Sequence, residues 1–197
     1  MPLPRRPNDR PLNAELERLL YQEKVILQEA EGLYWGLSDE QMNWAPAPGQ
    51  WSMAQCLDHL NLTNRKMADG IEASMKSGRA AGLLSDGPFT YGFLARWFHR
   101  SLQPPVKRKF KAPPPFVPAP QKRMADILPE WDRTHERITS LIRDCNGLDL
   151  ARIKVASPAS RLLKYSLGIA FWIQTAHDRR HLWQMRQIRN HPEFPAQ

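Results

Sequence analysis

Apolar residues recur three and four apart over long stretches of this chain, the spacing of amphipathic helices. The first stretch carries Leu16, Leu19, Leu20, Ile26, Leu27, Ala30 and Leu33 on one side and Glu15, Glu17, Glu23 and Glu29 on the other. It predicts a helix capped by Asn13, running to about residue 35 and broken at Gly36. Ser38 opens a short capped turn that ends near Trp44. Pro46, Pro48 and Gly49 exclude helix interior, because proline removes a donor and clashes with the preceding turn. Ser52 and Gln55 form a capping-box signature. They start a second long helix, 53 to about 76, with Met53, Leu57, Leu60, Met67 and Ile71 in one arc and Ser77-Gly78 as its stop.

Residues 79–88 read as a loop, and 89–102 as a shorter helix burying Phe93, Leu94, Trp97 and Phe98. Seven of the eighteen prolines fall in 103–120, which predicts an extended excursion pinned by Phe110, Phe116 and Val117. A third long helix is expected over 121–145, with a kink or split at Pro129 and a stop at Asn146-Gly147. After a connector, Ser157-Pro158 offers a cap and a proline at the first helical position, so the last helix is expected over 158–189. No run alternates with period two, and no sheet is expected. Four long helices and one Pro-rich basic crossover give an all-α reading: a four-helix bundle of up-down-down-up type. The expected layout is a lead over 1–11, the bundle over 12–190 and a tail over 191–197.

Charge adds one local feature. The net charge is +8, and Arg96, Arg100, Lys107, Arg108, Lys109, Lys111, Lys122 and Arg123 lie in a stretch without Asp or Glu. Those eight charges equal the whole excess. A block of this kind is weaker support for nucleic-acid binding than a basic face spread over a domain, and a solvated loop is the simpler reading. No apolar run is long enough to span a membrane, and the basic start is not followed by the apolar core of a signal peptide. Cys56 and Cys145 stand far apart in no metal or redox motif, which fits a reduced, cytoplasmic protein.

The candidate chemistry lies in the last helix. His177 and His181 are four residues apart, so their imidazoles share one face with bidentate geometry for an ion. A pair alone is more often a chance pairing on a wet surface, and a third ligand decides the matter. Ala170, Ile173, Gln174, Gln184 and Ile188 lie near the same direction, while Asp178 points about 100° away. His59 sits on a polar stripe at the edge of the second helix's apolar arc; periodicity leaves it open between ligand and half-exposed surface residue. His99 and His135 fall on basic or polar stretches and are expected to be solvated, and His191 precedes a proline beyond the helix. Asp178 follows the first histidine where a zincin carries Glu, but only sixteen residues follow His181, too few for the usual third ligand.

The stretch from Leu37-Ser38-Asp39-Glu40-Gln41 through Pro48-Gly49-Gln50-Trp51-Ser52 to Asp58-His59-Leu60 resembles the DinB-like superfamily. In that family a Pro-Gly-x-Trp-Ser segment opens the second helix and a His-Leu follows within it. Ala176-His177-Asp178-Arg179-Arg180-His181-Leu182-Trp183-Gln184 is similar to the family's final-helix signature, and the resemblance covers about 12–190. It implies a four-helix bundle holding a divalent metal through His59, His177 and His181. Asp178 departs from the common Glu and is expected to pack or pair rather than ligate.

Characterised members include thiol-dependent S-transferases and a thiol-dependent isomerase. The resemblance therefore implies a metal-dependent enzyme that activates a low-molecular-weight thiol or water for a small-molecule substrate, as a transferase or hydrolase. Zinc and nickel are the first candidates, iron and manganese the next. Gln55, Gln174, Gln184 and Trp51 are pocket candidates, although a tryptophan at a helix entry is more often an anchor. Cys56, one turn from His59, reads as a buried structural thiol. The alternatives are a non-catalytic metal-binding or stress-response module and, behind it, nucleic-acid binding through 96–123. Pairing of two copies through helix faces is compatible with the sequence.

Overall fold

The computed structural model of the protein describes residues 11–106 and 111–196. The chain is mostly helical: α1 Ala14–Tyr34, α2 Asp39–Asn43, α3 Met53–Ala80, α4 Phe93–Leu102, α5 Met124–Asp144 and α6 Leu167–Arg189. Local chemistry sets the early boundaries. The Asn13 side chain accepts from Glu15 N at 2.8 Å. Ser38 and Ser52 each close a full capping box, with Gln41 and Gln55 as the reciprocal partners. Each such cap contributes about 1 kcal/mol. Gly36, with φ of 75°, turns the chain out of α1 as only glycine does without strain.

Helices α3 and α1 each pack against both α5 and α6, so the four long helices enclose a common interior. Gly168 permits a close approach at one end of it. A Cβ there would lie 2.6 Å from Cζ of Tyr91, whose hydroxyl donates to Glu15.

Several expectations change. The connector before the last helix forms an antiparallel hairpin, β1 Lys154–Ser157 with β2 Ser160–Ser166. Val155 is buried opposite Tyr165, and Pro158 sits in the hairpin turn rather than in a helix. The last helix starts at Leu167. Its first free N–H groups donate to the carbonyls of Ile153 and Leu150 at 2.9 and 3.0 Å, so the connector supplies the cap that Ser166 does not. Helix α3 continues to Ala80, and α5 runs unsplit through Pro129.

Helix α4 buries less than its composition suggests. Phe93 and Trp97 are 70% and 60% exposed, and Phe98 is exposed as well, because the helix lies on the outside of α6; among its described side chains Leu102 reaches the core, and the side chain of Leu94 lies outside the described ones. In the Pro-rich segment Phe116 is buried within a 3-10 turn, Pro114–Phe116, whereas Val117 is exposed. Phe110, Lys107, Arg108 and Lys109 lie outside the described residues. Glu23 and His135, expected on wet faces, are buried.

Candidate metal centre

The capping box at Ser52 fixes the start of α3 and places His59 in its second turn, facing α6. His177 and His181 follow one another by one turn of α6. The three rings converge: Nε2 of His177 lies 3.3 Å from Nε2 of His59 and 3.2 Å from Nε2 of His181. His59 and His181 are buried, and His177 is partly exposed.

Neighbours define the tautomers of two rings. His59 Nδ1 donates to the Phe116 carbonyl at 2.6 Å, and His181 Nδ1 donates to Gln184 Oε1 at 3.2 Å. A neutral imidazole carries one proton, so both Nε2 atoms present lone pairs to the centre. His177 Nε2 faces both and has one proton at most, so hydrogen bonding satisfies only one of the two contacts. A cation satisfies all three.

The electrostatics favour neutral rings. Burial lowers His177 to about 3, assisted by the charges of His59 and Arg180. Burial likewise holds His181 well below its usual value, with His177, His59 and Arg180 adding to the effect. His59 is lowered by burial despite its bond to the Phe116 carbonyl. The donor set also fits an ion in size: nitrogens about 2.0–2.1 Å from a tetrahedral centre stand about 3.3 Å apart.

A strap holds the site from outside. Asp58, buried beside His59, accepts from Ala119 N at 2.9 Å and from Lys122 Nζ at 2.6 Å. These contacts fasten the segment that carries the Phe116 carbonyl. Trp51 packs on two of the rings, 4.8 Å from His59 and nearly parallel to His181 at 5.7 Å.

The other candidates separate. Gln55 spends its side-chain oxygen on Ser52 N, in the capping box. Gln184 meets His181, while Gln174 is buried against Asp178. Asp178 faces away from the three nitrogens and accepts from Asn64 at 2.8 Å. Cys56 is buried and free, and burial raises its thiol, so it offers no thiolate. The Phe116 carbonyl and Arg180 escaped the sequence reading. A backbone acceptor 57 residues from its histidine leaves no pattern. A groove lined by Trp35, Gln41, Trp44 and Arg189 contains none of the three histidines.

These features define a helical protein with a three-histidine group suited to a divalent cation. The DinB superfamily is matched over residues 25–185, and the chain belongs to that superfamily. Neither the curated proteins nor the solved structures contain a significant match. Among the described residues, no helix is long and apolar enough to cross a membrane.

Proposed function

We propose that residues 12–190 form a four-helix bundle whose three-histidine group binds a divalent ion and works on a small thiol or water, as a transferase or hydrolase. The observation that carries this reading is the meeting of His59, His177 and His181, with Nε2 of His177 at a tetrahedral spacing from each of the other two and all three donors within 4.8 Å. Zinc and nickel suit an all-imidazole set best, with iron and manganese behind them. The bound ion supplies Lewis acidity toward a sulfur or oxygen ligand. The protein's own residues do the positioning. The Phe116 carbonyl and the Gln184 amide keep two Nδ1 atoms protonated and aim the rings. Trp51 shields two imidazoles from water. Arg180 brings positive charge close enough to lower His177 and His181, which also favours an anionic substrate or thiolate nearby. The partly exposed His177 marks the side open to a small molecule, and the buried, reduced cysteines suit a cytoplasmic setting.

Metal analysis of the wild type, His59→Ala and His177→Ala tests the site. Each substitution is expected to remove one equivalent of metal and leave the helical circular dichroism intact. Loaded wild type is then incubated with small thiols and electrophiles while thiol consumption is followed. Consumption that disappears in both variants supports an enzyme. Metal retained at wild-type level in both variants rejects the site, and bound metal without turnover of any pair makes the chain a metal-binding module.

A further inference from the structure

Helix α4 turns aromatic rings toward solvent. At roughly 100° per residue, Phe93, Arg96, Trp97 and Arg100 fall within about 100° of arc, and all four are exposed. Leu102 lies on the opposite side and is buried, and the ring of His99 packs on Trp172 of α6 at 5.4 Å. The helix is therefore held by its inner side. Exposed apolar residues scattered singly are ordinary, but two large rings one turn apart on one arc form a patch.

The charge around this patch has one sign. Residues 87–125 contain no Asp or Glu, and Arg96, Arg100 and Lys111 are exposed there. Lys107, Arg108 and Lys109 follow the helix in sequence. An anionic partner fits this sign. A second copy of the chain fits poorly. A twofold contact through this face sets Arg96 and Arg100 against their own copies, with no carboxylate in the segment to neutralise them. A single-stranded nucleic acid stacks its bases along a groove that tracks the backbone, whereas a helix of 10 residues offers its rings on a convex side. A planar anionic surface suits that shape: aromatic rings sit at headgroup level while neighbouring arginines extend to the phosphates.

We propose that α4 docks the protein on the surface of an anionic lipid bilayer, with Phe93 and Trp97 entering the headgroup region and Arg96 and Arg100 binding its phosphates. The contact is peripheral, in keeping with the absence of a membrane-crossing helix among the described residues. Two rings alone hold a protein weakly, so binding needs the apolar and the charged members together. Lys122 and Arg123 lie outside the contact, since they already pair with Asp58 and Asp126. The three-histidine group shares no residue with this face, so docking stands independently of metal binding.

The test is co-sedimentation of full-length protein with vesicles of phosphatidylcholine, either alone or with about one-third phosphatidylglycerol, at low and high salt. Wild type is expected to bind the anionic vesicles at least about tenfold more tightly than the neutral ones, and less tightly at high salt. Arg96→Gln/Arg100→Gln should lose about fivefold for each arginine. Phe93→Ser/Trp97→Ser keeps every charge and should lose about tenfold or more, while Trp97→Phe retains most of the binding. The substituted side chains are exposed, so the helical circular dichroism should stay as in wild type. A labelled single-stranded oligonucleotide and the oligomeric state of the protein alone are measured in parallel. Absence of binding to the anionic vesicles at low salt overturns the proposal. Vesicle binding that Phe93→Ser/Trp97→Ser leaves unchanged also overturns it, because charge alone then holds the protein. Oligonucleotide binding or a dimer that this variant abolishes, without vesicle binding by the wild type, assigns the face to that partner and overturns it as well.

Discussion

At the residue scale, the three histidines differ from free imidazoles in the direction of their protonation. Burial lowers all three, His177 to about 3, so each holds a proton less tightly than an unperturbed ring. An ion competes with protons for the Nε2 lone pairs, and lowered values remove that competition near neutral pH. Three unperturbed rings with pKa about 6.5 would cost roughly 60-fold in affinity between pH 8 and pH 6. Here the affinity should fall well short of that change over the interval and weaken further at more acidic pH. Competition titrations with a chromogenic zinc chelator at the two pH values provide the measurement. A fall of tens of fold would show that the rings titrate as exposed imidazoles.

At the element scale, the Pro-rich strap has a positioning role that rests on Asp58. Asp58→Asn keeps the volume but removes the charge that holds Lys122, and it weakens the bond to Ala119 N. The Phe116 carbonyl then orients His59 less firmly. Loss of an outer-shell partner of this type costs about 10-fold to 100-fold in metal affinity, and the lost charged contact should cost about 1–3 kcal/mol in stability. Zinc titration and chemical denaturation read the two effects separately; unchanged affinity with lowered stability would limit the strap to a structural role. Legibility from sequence divides along the same line between local and distant contacts. The Ser38 and Ser52 capping boxes close within three residues, so their helices start where the pattern puts them. The hairpin was not legible, because β1 has four residues and Ser157-Pro158 also fits a helix start. The His177/His181 pair was visible as an i, i+4 spacing on α6, and His59 needed the family resemblance. Glu23 and His135 looked wet because the partners that bury them come from other helices, 112 residues apart in their own case.

For the whole molecule, the basic excess says less about partners than its size suggests. Two members of the block are used internally, Lys122 by Asp58 and Arg123 by Asp126. The three-histidine group has wider reach, because it joins α3 to α6 and its contacts tie in the strap. An ion that binds only the folded chain stabilises it by about 4 kcal/mol at a free concentration a thousandfold above Kd. For a chain of this length each kcal/mol moves Tm by about 2–4 °C, so zinc should raise it by roughly 8–16 °C over the metal-free protein. The comparison is between thermal melts of chelator-treated and zinc-saturated protein. His177→Ala should melt near the metal-free wild type and lose most of the shift, since His59 and His181 alone no longer define a closed site. Any shift that remains in His177→Ala belongs to another site. If the full shift persists in His177→Ala, zinc stabilises the chain without the three-histidine group, and the ligand assignment fails.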